Sequence, residues 1–150
     1  MSFIVVGVDG SASSQAALEA AVEQAKLIDA EVRVVNVVSM PVMSGYEFGP
    51  IDLQEMKQAG EKIVSAAIDE LEATYDQAVP VPISSQVLTG HVGIEMMRVA
   101  ESDGGAAMVV SGSRGYGPFR SMLLGSVTTY LAHHLTCPLL IIPGVDEPEA

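Results

Sequence analysis

Apolar positions along the chain switch between two periods. Residues 3–8 form a continuous β-branched run without polar alternation, the pattern of a strand buried on both faces. From 12 to 28, Ala17, Leu18, Ala21, Val22, Ala25 and Ile28 recur at helical spacing, with Gln15, Glu19, Glu23 and Lys26 on the other side and Ser11 placed as N-cap. A second strand is predicted over 32–38. A helix is predicted over 52–78, with Met56, Ile63, Ala67, Leu71 and Tyr75 on its stripe and Pro80 and Pro82 to stop it. A third strand follows over 83–88, then a helix over 92–102 with Ile94, Met97 and Val99 inward. A strand over 106–110, a helix over 126–135 and a strand over 139–142 complete the series. Residues 39–50, holding Met40, Pro41, Met43, Tyr46 and Phe48, form a long connection expected to fold back on the sheet edge, with a partner surface or a lid as the alternatives.

Strands alternating with helices predict an α/β fold, a single-domain doubly wound parallel sheet, because each parallel crossover takes a helix and is right-handed. Five strands in such a sheet run 3-2-1-4-5 or 2-1-3-4-5, and ligands bind outside the strands' carboxyl ends where the winding reverses. In the first order, that crevice lies between strands one and four, which end at Asp9 and at the Gly112 segment. One domain is expected over 1–144, followed by a solvated acidic tail over 145–150.

Composition narrows the function. The formal net charge of −12, with 7 Lys and Arg in 150 residues, speaks against general affinity for nucleic acid or an anionic membrane. A single cysteine, Cys137, excludes an intramolecular disulfide and reads as a buried thiol in a reducing compartment. With no leader-like or membrane-spanning run, a cytoplasmic location is expected. The sparse cations make their placement informative, since Arg114 and Arg120 both fall in one glycine-rich stretch.

That stretch carries the candidate chemistry. The apolar run ending in Val109 and Val110 passes into Ser111, Gly112, Ser113, Arg114 and Gly115; after nine intervening residues, Gly125, Ser126, Val127 and Thr128 open a helix. Glycine lets the main chain approach an anion, and a helix start aims N–H groups and a positive dipole end at it. Asp9 has two compatible roles, shaping its turn and facing a ligand, while Arg120 reads as a solvated loop cation. His133 and His134 are adjacent and point apart on a helix, so no metal site is expected.

The spacing Gly112-x2-Gly115-x9-Gly125-Ser126 resembles the nucleotide-binding signature of the universal stress protein family, in its ATP-binding branch. The opening Val6-Gly7-Val8-Asp9-Gly10-Ser11 and the closing stretch from His133 to Ile142 resemble that family's first strand and turn and its last helix and strand, so the likeness spans the chain. The resemblance implies the 3-2-1-4-5 order and a homodimer joined through Leu139, Leu140, Ile141 and Ile142. It implies that Gly7, Val8 and Asp9 line an adenosine pocket and that Val37 holds adenine through its backbone. Ser111, Gly112, Arg114 and Gly115 would wrap ribose and phosphates, with Gly125, Ser126, Val127 and Thr128 binding phosphates from the helix start. The implied cofactor is ATP, with Mg²⁺ taking a hydroxyl from Ser126 or Thr128. The chain departs from the pattern at Gly7, where proline or alanine is common, at Ala107, where an acid often opens strand four, and at Arg114, a variable position.

No convincing base accompanies the phosphate donors, so the expected function is a nucleotide-dependent stress-response regulator, with a protein partner and little or no turnover. Two other classes remain. One is an ATP-using adenylating enzyme, for which the Asp9-Gly10-Ser11-Ala12-Ser13-Ser14 turn lacks a glycine and an acid; the other is a dimeric scaffold that binds no nucleotide.

Overall fold

A computed structural model describes residues 1–39, 53–113 and 124–143. Five strands alternate with four helices: β1 (Phe3–Gly7), α1 (Ala12–Ile28), β2 (Glu31–Ser39), α2 (Leu53–Thr74), β3 (Ile83–Gly90), α3 (Val92–Glu101), β4 (Met108–Gly112), α4 (Ser126–His134) and β5 (Leu139–Ile142). All pairings are parallel and the order is β3-β2-β1-β4-β5. The winding therefore reverses between β1 and β4, as the 3-2-1-4-5 reading requires.

Side chains of the central strands alternate between two cores. Ile4, Val6 and Val8 pack with Leu18, Val22, Val64 and Leu71 of α1 and α2. Phe3 and Val5 pack with Met96, Val99 and Leu131 of α3 and α4. Burial on both faces is why β1 reads as an unbroken apolar run. Among the described residues, no helix is long and apolar enough to cross a membrane.

Beyond shifts of one or two residues at element ends, such as β3 running on to Gly90, the elements differ from the sequence reading in several places. α2 ends at Thr74, ahead of the prolines, because Asp76 and Gln77 turn left-handed (φ 51° and 65°) and the Gln77 N–H returns to the Glu72 carbonyl at 2.7 Å. Its buried positions are Gly60, Val64, Ala67 and Leu71. α3 buries Gly93, Met96, Val99 and Ala100, whereas Ile94 is 39% exposed. Its inward face is set by Gly93, where a Cβ would run into Tyr130 Cδ1 and would have to displace that ring. Ile28, at the end of α1, is exposed too. β4 begins two residues late: Ala106 still closes the preceding turn through its N–H to the Ala100 carbonyl, and Ser111 and Gly112 extend the strand by pairing with Ile141 and Ile142.

Candidate functional site

The first lip of the crevice is the turn after β1. Ser11 caps α1, its Oγ accepting the Ser14 N–H at 3.1 Å. Asp9 Oδ1 accepts the Ser11 N–H at 2.9 Å, and the Asp9 N–H donates to Ser14 Oγ at 3.2 Å. Gly10, at φ 88°, supplies the left-handed step. Asp9 thus shapes its turn as one of its two expected roles, and its side chain is exposed at the strand end.

Behind that turn lies a buried amide absent from the sequence reading. Asn36, 6% exposed in β2, donates from Nδ2 to the Val8 carbonyl at 2.8 Å, while the Val8 N–H donates to the Val35 carbonyl at 2.9 Å. Val37, the next residue, is half-buried and packs against the α3/α4 core. Gly7 backs onto Met96, whose Sδ and Cε would lie 3.0 Å from a Cβ placed there. A larger residue at this position would have to displace that flexible thioether.

The second lip is the end of β4. The Ser113 N–H donates to the Ile142 carbonyl at 2.9 Å, and the Gly125 N–H donates to the Ser113 carbonyl at 2.7 Å, pinning the start of α4 to the strand end. Thr128 Oγ1 donates to the Gly112 carbonyl at 2.7 Å and lies 3.1 Å from Ser111 Oγ, which also bonds the Gly112 carbonyl. Thr128 is 3% exposed, and its hydroxyl serves this latch. Of the two hydroxyl residues at positions 126 and 128, Ser126 is the exposed one. Gly125 is the N-cap and provides no side-chain cap to α4. A helix start without a side-chain acceptor is suited to an anion supplied from outside.

The two lips meet. A Cβ on Gly112 would lie 3.1–3.2 Å from the Ser13 carbonyl group and Cβ, so the end of β4 rests on the first turn of α1. The carboxyl end of the sheet gathers Gly7, Val8, Asp9, Val37, Ser111, Gly112, Gly125, Ser126, Val127 and Thr128. Arg114, Gly115 and Arg120 lie outside the described residues, as do Met40, Pro41, Met43, Tyr46 and Phe48 of the long connection and the tail over 145–150. Asn36, Ser13, Ser14 and Met96 join the site without having been expected. Asn36 was the detectable one, an amide in a β-branched run where Asn is ordinarily depleted.

His91 and His134 engage the helices that carry them, and His133 is exposed. His91 Nδ1 caps α3 by accepting the Ile94 N–H, Tyr130 stacks on His134 with ring centroids 4.1 Å apart, and the His134 ring nitrogen bonds the Tyr130 carbonyl. Among the described residues, no three His, Cys, Asp or Glu side chains cluster as a metal site. Cys137 is half-buried, and burial pushes its thiol pKa up.

The universal stress protein family model matches residues 1–143. A universal stress protein of Mycolicibacterium smegmatis is 31% identical over 151 residues, covering 96% of this chain and 49% of that protein. YxiE of Bacillus subtilis is 31% identical, covering 93% of this chain and 97% of YxiE. The chain spans about half the length of the first curated relatives it matches, the mycobacterial proteins. A solved family member from Burkholderia pseudomallei superposes with a TM-score of 0.68 at 27% identity, covering 95% of this chain and 96% of that one. Two more share the fold at lower identity. One is an Archaeoglobus fulgidus protein in complex with dAMP (TM-score 0.68, 20% identity, 95% and 98% covered), the other an Arabidopsis thaliana protein with AMP bound (TM-score 0.62, 18% identity, 97% and 93% covered). With the matched residues, strand order and crevice in agreement, the chain belongs to the universal stress protein family.

Proposed function

We propose that this chain binds an adenine nucleotide, ATP in the first place, between the ends of β1 and β4 and acts as a nucleotide-dependent stress-response regulator in the cytoplasm. The observation that carries the reading is the start of α4. It has no side-chain cap, is held to the end of β4 by the 2.7 Å Gly125–Ser113 bond, and stands at the same sheet edge as Asp9 and Val37. The AMP and dAMP complexes of proteins with this fold make adenine nucleotides the ligand class to test first.

On this reading the amides of Ser126, Val127 and Thr128 meet phosphate oxygens, together with Arg114 and Gly115, and the Val8–Asp9 turn and Val37 take the nucleoside. Mg²⁺ suits a site offering one protein hydroxyl, at Ser126, plus phosphates. Turnover is expected to be slow or absent: hydrolysis needs a group orienting water at the γ-phosphate, and Asp9, the carboxylate at the crevice among the described residues, is assigned to the nucleoside side and has one oxygen engaged by Ser11. Ser11 and Ser14 are likewise occupied within the turn, which speaks against an adenylating loop there. Two copies joining through the β5 edges complete the proposal, and the regulated partner is a protein.

Binding to the folded state raises stability by linkage. ATP is expected to raise the melting temperature more than AMP, and mass spectrometry of freshly denatured protein is expected to identify an adenine nucleotide. No shift with either ligand, together with no released nucleotide, would overturn the reading.

A further inference from the structure

We propose that Asn36 is a positioning residue for the nucleotide: by binding the Val8 carbonyl with its own carboxamide, it stops the β1–β2 ladder one step short of Val37 and leaves the Val37 main chain facing the crevice. The inference rests on the nucleotide-binding reading above and adds the device that prepares its adenine end.

The ladder's alternation supplies the geometry. In a parallel pair, the N–H and C=O of one residue point to the same neighbouring strand, and successive residues alternate. The Val8 N–H bonds the Val35 carbonyl, so Arg33, Val35 and Val37 turn their main chain toward β1. The Val32 N–H bonds the Pro82 carbonyl, so Val32, Val34 and Asn36 turn theirs toward β3. The next rung after Val8–Val35 would run from the Val37 N–H to the Val8 carbonyl. The Asn36 Nδ2 donates to that carbonyl at 2.8 Å.

The chain accommodates this amide at some cost. Burying a carboxamide is unfavourable unless its hydrogen bonds are met. Its Oδ1 is seated against Gly60 of α2, where a Cβ would lie 2.6 Å from Oδ1 and 2.7 Å from Val87 Cγ1. Glycine in a helix interior is itself destabilising relative to alanine. An aliphatic residue at 36, like its neighbours Val34, Val35 and Val37, would remove the buried carboxamide, while Val87 Cγ1 would still crowd a Cβ at Gly60. Such a residue at 36 would also let the Val37 N–H close on the Val8 carbonyl.

Two variants test this: Asn36→Leu, which keeps the branched shape without the donor, and Asn36→Ala, whose single methyl group fits beside Gly60. In ligand-free protein, the Val37 amide is expected to exchange with solvent at least tenfold more slowly in the variants than in the wild type. Calorimetric AMP affinity is expected to fall at least tenfold. The proposal is overturned if the wild-type Val37 amide is already as protected as that of Val35, or if folded Asn36→Ala binds AMP within twofold of wild type. Wild-type protein that binds no AMP or ATP would instead defeat the nucleotide reading, and the exchange comparison would still decide whether Asn36 holds the ladder open.

Discussion

Gly112 lies directly on Ser13: a Cβ at Gly112 would stand 3.1 Å from the Ser13 carbonyl oxygen and 3.2 Å from its carbonyl carbon. Main chain therefore meets main chain where the end of β4 crosses the first turn of α1, and neither side has a flexible atom to yield. Gly112→Ala is expected to push the two lips apart by a few tenths of an ångström, at about 1–3 kcal/mol for overpacking. Thermal unfolding should register a fall of several degrees, accompanied by weaker nucleotide binding. Unchanged melting and affinity would show that the contact relaxes freely.

Thr128 separates a latch from a ligand. Its hydroxyl is buried between Ser111 Oγ and the Gly112 carbonyl, so Thr128→Val removes bonds that hold α4 to β4. Urea unfolding without nucleotide is expected to lose about 1–3 kcal/mol. Thr128→Ser, which keeps the hydroxyl, should recover most of it. A phosphate-binding hydroxyl would behave differently, costing affinity while leaving nucleotide-free stability intact.

Much of this architecture was legible because burial imposes period. β1 has both faces covered, and its continuous β-branched run says so; α1 has one face covered, and Ala17, Leu18, Ala21, Val22 and Ala25 say so. Periodicity left two strand orders open, and the family resemblance selected the one observed. The misread positions depend on partners distant in the chain. Ile94 looks more like a core residue than Gly93, yet Gly93 receives the Tyr130 ring from α4. Ser111 and Gly112 resemble the end of a strand, but β5 pairs with them. The Asn36–Val8 bond joins residues 28 apart, and a lone polar residue in an apolar run does not name its acceptor. The hydroxyl pair at 126 and 128 looked equivalent as metal or phosphate ligands. Packing assigns them opposite orientations, one outward and one into the latch.

A second long-range bond gives a pH signature away from the crevice. The Tyr75 hydroxyl donates to Glu23 Oε1 at 2.5 Å, tying the end of α2 to α1. Burial, then this bond and the nearby carboxylates, push the Tyr75 pKa up to about 12, and the same bond lowers that of Glu23. A phenol with a raised folded-state pKa contributes stability that is complete below its unfolded value, about 10, and is lost as pH rises through the folded value. Glu23 contributes above its unfolded value and loses the contribution as pH falls through its lowered folded value. Wild-type stability is therefore expected to decline between about pH 10 and about pH 12. Tyr75→Phe should flatten that decline and remove part of the acid-side slope, as measured by urea midpoints across pH. Parallel profiles for the two proteins would show that the bond does not persist in solution.

Assembly through β5 has a test that spares the core. The Val109 N–H bonds the Pro138 carbonyl and the Ser113 N–H bonds the Ile142 carbonyl, so even-numbered residues of this segment turn their main chain toward β4. Alternation turns the N–H of Ile141 outward, along the edge where a second strand would add. Leu140 and Ile142 pack on the α1/α2 core and Leu139 on the other, so replacing those side chains would confound assembly with folding. Ile141→Pro removes an outward donor and keeps the β4 ladder bonds, a placement edge strands tolerate. Light scattering at micromolar concentration is expected to give a dimer for the wild type and a monomer for Ile141→Pro, with the variant still cooperatively folded. A wild-type monomer would remove β5 as the joining edge, and a dimeric Ile141→Pro would move the interface to another surface.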